Sequence, residues 1–374
     1  MKYYLIAGER SGDLHGSNLI KSLKKLDFNA EFKGIGGDQM KESGMDVKIP
    51  YTKMAFMGFW EVLVNLRTIT KYLKSTKSDI VEYNPDVVIL IDYPGFNMRV
   101  AKFVHAAGFK VYYYISPKIW AWNTKRAYKI KKWVNKMFTI LPFETAFYKN
   151  FGIEVDYVGN PVMDAVKNYN FDLDFTVKNG IDPSKTISVL PGSRWQEVQS
   201  FMVQIVAIAK VLPEYDFTVS RVDNLPEELY TPVYGIDNIK LIVGNTYDLV
   251  KNSKASIVTS GTATLETAVL NVPEVVCYKT SPVSYFIAKR LIKVPYISLV
   301  NLIMDREIVK ELIQDDLNTS NLKAELERII SNSTVRSKML FEYDELRSAL
   351  GNEEVSALAA GKMYAYLTAR ADKT

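Results

Sequence analysis

Short, mainly apolar runs, several of them ended by a turn-forming cluster, recur along the chain. Val87–Ile91 carries no hydrophobic–polar alternation, the mark of a strand covered on both faces; Lys2–Ala7 reads as a short buried strand, and Lys110–Ile115, Lys136–Leu141 and Val155–Val158 read as further strands. Between the first two lies Leu14–Leu26, with Leu19, Ile20, Leu23 and Leu26 at helical spacing, and Val100–Gly108 follows as a second helix. Strand and helix in alternation predict a doubly wound parallel sheet, an α/β architecture. The pattern starts again at Thr186–Leu190 and continues through Phe217–Ser220, Ile239–Val243 and Ala255–Thr259. Helices are expected at Leu322–Ile330, Val335–Ala349 and Glu353–Leu367. The polar, turn-rich stretch Lys167–Ser184 reads as the boundary, giving domains at 1–166 and 167–345 and terminal helices at 346–374.

Ligands of an open parallel sheet bind beyond the carboxyl ends of its strands, so the residues there are the candidates for chemistry. Val87–Ile91 ends on Asp92, and Pro94-Gly95 turns the chain away. Gly8-Glu9-Arg10-Ser11-Gly12-Asp13 makes a glycine turn between strand and helix, a layout that offers backbone N–H groups to an anion. It lacks the Gly-Lys-Ser/Thr ending of a P-loop. Gly34-Ile35-Gly36-Gly37 lacks the third glycine of a dinucleotide fingerprint and reads as a tight turn. Thr186–Leu190 ends in Pro191-Gly192-Ser193-Arg194, where arginine suits forked recognition of phosphate. Ala255–Thr259 ends in Ser260-Gly261-Thr262, with Glu266 one turn into the next helix. Hydroxyls, a glycine and a helix start suit a diphosphate, and the acid suits a ribose diol. A plain helix cap is the alternative at each turn. Asn301, Asp305, Arg306 and Glu307 form a polar cluster in an apolar setting. Asp172-Leu173-Asp174 lies in the polar stretch rather than at a strand end and is discounted as a metal site.

Composition narrows the partners. The 374 residues carry a net charge of +5, and no apolar run reaches the roughly 20 residues of a spanning helix. The early charges Glu9, Arg10 and Asp13 argue against a secretory signal. One cysteine, Cys277, excludes an intramolecular disulfide, and two histidines make a His/Cys metal site improbable. Between Lys118 and Phe138 stand seven basic and no acidic residues, interleaved with Trp120, Trp122, Tyr128 and Trp133. Such a segment fits an anionic membrane surface better than nucleic acid, with a solvated helix face as the bland reading. Met54–Leu66 is rich in large adaptable apolar side chains and contains Glu61, which fits hydrocarbon binding at a cleft or simply a packed helix.

Taken in order, these motifs resemble the lipid-A-disaccharide synthase family over nearly the whole chain. The carriers are Gly8–Asp13, Asp92–Asn97, Ser116–Trp122, Leu141–Glu144, Leu190–Arg194, Ser260–Glu266 and Asn301–Glu307. The resemblance implies a GT-B fold, two Rossmann-like domains facing across a cleft, the first for acceptor and membrane and the second for UDP-sugar. It implies an inverting, metal-independent transfer of 2,3-diacylglucosamine from UDP to 2,3-diacylglucosamine 1-phosphate at the inner face of the cytoplasmic membrane. No cofactor is expected, and a homodimer is. Asp92 is the expected base. Glu9, Ser11, Asn97 and Glu61 are expected at the acceptor, and Gly192, Ser193, Arg194, Ser260, Gly261, Thr262, Glu266, Asn301 and Arg306 at the donor. The chain has Arg10 where the family usually has threonine and Asn160 where it usually has histidine. Gly159-Asn160-Pro161 is similar to the related peptidoglycan glycosyltransferase. The alternatives are thus another GT-B enzyme using a UDP-N-acetylhexosamine, a 2-epimerase included, or a non-catalytic lipid-binding protein at a membrane face.

Overall fold

The first strand, β1 (Lys2–Ala7), is buried from Tyr3 onward, and its successive side chains enter two different cores. Tyr3, Leu5 and Ala7 pack with Leu19, Ile20 and Leu23 of the helix Arg10–Leu26. Tyr4 and Ile6 pack with Val100 and Val104 of the helix Pro94–Ala106 on the other face. Burial on both faces explains the unbroken apolar runs, each side chain contributing roughly 1.5–3 kcal/mol. The computed structural model describes residues 1–54, 66–192, 195–222, 225–281, 285–286, 289–290, 292 and 294–369.

Six further strands complete the first sheet: β2 (Glu31–Gly36), β3 (Asp46–Pro50), β4 (Val87–Ile91), β5 (Val111–Tyr114), β6 (Lys136–Thr139) and β7 (Asp156–Tyr157). Their order is β3-β2-β1-β4-β5-β6-β7, with every pairing parallel. The strand order reverses between β1 and β4, so Gly8–Glu9 and Asp92 share the switch point. Gly34-Ile35-Gly36 is not a turn, as expected from sequence, but the end of β2. Gly34 has φ +148°, and a Cβ there would lie 2.0 Å from the Leu5 carbonyl oxygen. Glycine marks close strand approach here, and the β2–β3 register shifts at the same point.

The second unit repeats the plan with β8 (Thr186–Leu190), β9 (Asp216–Arg221), β10 (Ile239–Val243), β11 (Ala255–Thr259), β12 (Glu274–Tyr278) and β13 (Lys310–Ile313). The order is β10-β9-β8-β11-β12-β13, again parallel throughout, with its switch point between β8 and β11. Ile187, Val189 and Ile257 pack on Val198, Phe201, Met202 and Ile205 of the helix Trp195–Val211.

The two compact units are Met1–Pro161 with Asn352–Thr374, and Val162–Gly351. Lys167–Ser184, read from sequence as the boundary, lies inside the second unit, where Phe175 and Ile181 are buried with Ile242 and Leu249. The last helix, Val355–Thr368, belongs to the first unit. It buries Val355, Ala359, Ala360 and Met363 against the β1 side of the sheet. Asp156 of β7 clasps it through Lys362 Nζ at 2.9 Å and the Tyr366 hydroxyl at 3.0 Å. Among the described residues no helix is long and apolar enough to cross a membrane.

Candidate active site

In the first unit the candidate residues gather where β1 and β4 end. Asp92 and Tyr93 follow β4 with φ of +40° and +47°, two consecutive non-glycine residues in the left-handed region. Such a conformation costs of order 1–3 kcal/mol per residue and persists only where the surroundings enforce it. The enforcement is visible. The Asp92 N–H donates to Tyr114 O at 3.1 Å. Its carbonyl accepts from the Tyr113 hydroxyl at 2.6 Å and from Asn97 Nδ2 at 2.7 Å. The Tyr93 hydroxyl reaches back to Met54 O at 2.8 Å. Gly8 leaves room for the Tyr93 ring, which a Cβ at position 8 would meet at 2.2 Å. Asp92 is thereby held half-buried, and the Tyr93 N–H donates to its carboxylate. Burial, with the Glu9 charge adding to it, pushes its carboxyl up to about 6, while the Lys118 ammonium pulls the other way.

Glu9 stands at the start of the helix Arg10–Leu26 and accepts from the exposed Ser11 hydroxyl at 2.7 Å. Arg10 is exposed beside them. Asn97, expected at the acceptor, is fully buried and donates to Ile91 O at 3.1 Å as well as to Asp92 O. Its place is behind the Asp92 turn, as a buttress. Asp13, in the same glycine turn, is spoken for: its carboxylate accepts from the N–H groups of Gly37, Gln39 and Met40. Glu61 and nearly all of the Met54–Leu66 run lie outside the described residues.

In the second unit, Gly192 follows β8 with φ +93°, a value that suits glycine alone, and a Cβ there would meet Glu197 Oε2 at 2.6 Å. Ser193 and Arg194 lie outside the described residues. At the end of β11, Gly261 is extended and exposed, and a Cβ would touch nothing within 4 Å. Thr262, also exposed, opens the helix Thr262–Val269. Ser260 donates to Ile297 O at 2.9 Å. Glu266, half-buried on that helix, accepts from the Tyr247 hydroxyl at 2.8 Å, and burial pushes its carboxyl above the usual range. The Tyr247 ring lies tilted against that of Tyr169, with centroids 5.1 Å apart. An open glycine, free helix N–H groups and a fixed carboxylate are what a diphosphate and a diol require.

Two expected donor residues are occupied elsewhere. Asn301 is fully buried and saturated: Nδ2 donates to Val309 O and Glu311 Oε1, each at 2.9 Å, while Oδ1 accepts from Ile308 and Val309 N–H. It closes the loop between the helix Leu299–Met304 and β13. Arg306 pairs with Glu345 and, at 3.5 Å, Glu342. Asp172 pairs with Lys178 at 2.8 Å. Nor are the aromatics of the basic segment equivalent. Trp120 is buried and donates to Glu144, whereas Trp122 and Tyr128 are exposed, Trp122 lying 4.5 Å from the Arg126 guanidinium. Nothing local in the sequence marks Tyr247 or Glu311, since each acts through partners remote along the chain.

A family model described as lipid-A-disaccharide synthetase matches residues 3–361. The lipid-A-disaccharide synthase of Geobacter metallireducens is 37% identical over 364 residues, covering 96% of this chain and 95% of that protein. The chain belongs to the lipid-A-disaccharide synthase family. It is a glycosyltransferase of lipid A biosynthesis. The synthase of Syntrophus aciditrophicus is likewise 37% identical over 355 residues, 93% of each chain. Among solved structures, UDP-GlcNAc 2-epimerase from Neisseria meningitidis superposes with a TM-score of 0.69 at 15% identity, covering 97% of this chain and 100% of that one. The calicheamicin glycosyltransferase gives 0.63 at 13% identity, with 98% of each chain covered. At such identities these two speak for the shared GT-B fold and for nothing finer. The family match is what separates this chain from the epimerases that share its frame.

Proposed function

We propose that the protein joins two acylated sugars: 2,3-diacylglucosamine leaves UDP and attaches, with inversion, to the 6-hydroxyl of 2,3-diacylglucosamine 1-phosphate. Asp92 removes the hydroxyl proton as its oxygen forms the new bond to the anomeric carbon. The bond from that carbon to the diphosphate breaks, and UDP departs with the electron pair. The observation that carries this reading is the Asp92 turn. It presents a half-buried carboxylate whose pKa, about 6, lies close to neutral, which suits a general base. Glu9 and Ser11 orient the acceptor from the neighbouring strand end, and Glu61 joins them in this reading. Gly192, Ser193, Arg194, Ser260, Gly261 and Thr262 receive the diphosphate, whose charge grows as the bond breaks. Glu266 holds the ribose. Asn97, Asn301 and Arg306 act at one remove, by fixing the loops around these groups.

The test is UDP release from UDP-2,3-diacylglucosamine with and without 2,3-diacylglucosamine 1-phosphate. Release that requires both substrates is expected. Release without the acceptor, or epimerisation of UDP-N-acetylglucosamine, would remove the proposal. Both substrates are lipids, and the exposed Trp122 and Tyr128 with Lys125, Lys129 and Lys132 suit the surface of an anionic leaflet. Each basic residue there contributes roughly 1 kcal/mol, so sedimentation with phosphatidylglycerol vesicles is expected to fall steeply with salt. Binding that ignores salt would count against this site of attachment.

A further inference from the structure

The Asp92 N–H donates to Tyr114 O at the end of β5, and the loop that leaves β5 there is held by a second carboxylate, that of Glu144, which is almost fully buried. It opens the helix Glu144–Lys149, directly after the end of β6. Four donors converge on it. Oε2 accepts from the N–H groups of Ile140 at 3.2 Å and Leu141 at 3.1 Å. Oε1 accepts from the Ser116 hydroxyl and from Trp120 Nε1, the latter at 3.1 Å. The first pair belongs to the exit of β6 and the second to the exit of β5. One carboxylate therefore bolts together the loops beyond two adjacent strands.

The bolted loop is short and strained. Ile115 enters it with φ +63°, a rare conformation for a β-branched residue. Ser116 and Trp120 are its two fixed ends, and between them the exposed Lys118 carries the positive charge that acts on Asp92. Trp120 is further wedged edge-on against Phe143 at 5.0 Å, the residue before Glu144. A buried carboxylate with four donors is costly to disturb, because removing its charge leaves several donors without a strong acceptor.

We propose that Glu144 is a positioning residue of the transfer reaction: it locks the Ser116–Trp120 loop so that the Lys118 ammonium stands towards the Asp92 carboxylate. The proposal rests on the reading of Asp92 as the base. The charged and titratable groups that act on or around Asp92 are Glu9 from the first turn, Lys118 from the loop, and Tyr113 from β5. Those around Glu144 are Tyr148 on its own helix and Tyr157 of β7. Among the described residues Lys118 is the cation that acts on Asp92, and it counters Glu9 and burial. If the loop is released, that counterweight goes, and Asp92 takes up its proton at a higher pH.

The experiment is the pH profile of kcat/KM for the full chain, in wild type, Lys118→Met, Glu144→Gln and the double variant. The wild-type acidic limb is expected near pH 6. Lys118→Met should move it upward by about one pH unit. Glu144→Gln should move it in the same direction, and the double variant no further than the larger single shift. Glu144→Gln that lowers kcat while leaving the limb in place, or shifts that add fully in the double variant, would overturn the proposal. Should Glu144→Gln not fold, Ser116→Ala and Trp120→Phe each remove one donor and should give smaller upward shifts; unmoved limbs in both would overturn it equally. Asp92→Asn distinguishes the two claims. If it keeps wild-type turnover and the same limb, the base assignment fails; if it is inactive while Glu144→Gln leaves the limb untouched, only the positioning role fails.

Discussion

The two units run the same strand order apart from an added seventh strand in the first, and each has its candidate residues where that order reverses, yet they build the place in opposite ways. The first uses crowding. Asp92 and Tyr93 are forced into left-handed backbone by Tyr113, Asn97 and Tyr114, and Gly8 is needed because the Tyr93 ring fills the space a side chain would take. The second uses emptiness. Gly261 has no neighbour where a Cβ would stand, Thr262 is exposed, and Gly192 turns the chain without a side chain. In the proposed reaction Asp92 transfers a proton, a task that needs a group held to a fraction of an ångström, and a strained, buttressed frame suits it. In the same proposal the second unit grips a diphosphate, which needs backbone N–H groups reached without obstruction, and a bare frame suits that.

Substitutions can break this contrast in order of severity. Asp92→Asn removes the proton acceptor, and turnover is expected to fall by about 10²–10⁴ with the melting temperature nearly unchanged. Steady-state UDP release beside calorimetry checks both halves. Gly8→Ala forces the Tyr93 ring aside and displaces the Asp92 turn; a loss of kcat of about 10²-fold is expected from misplacement on the scale of 1 Å. Gly261→Ala meets open space in extended backbone, so the protein should fold normally. A methyl in the path of the diphosphate should instead raise the donor KM, by roughly tenfold if about 1.4 kcal/mol of binding is lost. Equal effects of Gly8→Ala and Gly261→Ala on kcat would dissolve the distinction between a crowded and an empty frame.

Acidity should separate the regions too. Asp92 accepts a proton only when ionised, so kcat/KM should fall as pH drops through about 6, whereas activity carried by the glycine turns has no such limb. The smallest effect expected is on stability, at Glu274. This carboxyl is fully buried at the start of β12, close to Tyr343, and burial raises it well above its ordinary value. It is neutral when folded and ionises when unfolded. Its contribution is therefore most favourable below the unfolded pKa and declines as pH rises from there towards the folded value. Glu274→Gln keeps the shape without the ionisable proton. Melting near neutral pH should rise by roughly 2–4 °C, if about 1 kcal/mol is recovered, and the gain should vanish in acid. A melting point that does not respond would argue against a neutral carboxyl there.

Much of this arrangement is legible without coordinates, and the unreadable part has a common cause. The apolar runs at β1, β4, β8 and β11 announce themselves, and so does the acid that ends β4. Glycine-rich β2 does not, because its Gly34 answers to the Leu5 carbonyl on another strand, and a glycine cluster looks the same in a turn. Asn97, Asn301 and Arg306 are polar residues beside site motifs, and their type and position alone place them in the site. The structure shows that Asn97 and Asn301 spend their amides on backbone and loops, and that Arg306 is paired with Glu345.

What the order of residues determined by itself is the frame: two parallel sheets, their switch points, and Asp92 at one of them. A strand covered on both faces must be apolar throughout whatever covers it, so its signature is local. What only the tertiary structure decided is which polar groups remain available for chemistry. Glu144 draws its side-chain donors from Ser116 and Trp120, 28 and 24 positions away, and Asn301 is satisfied by Val309 and by Glu311 of β13, beyond its own helix. A side chain's hydrogen-bonding capacity is limited, and only the folded chain settles whether a neighbour in space has already used it.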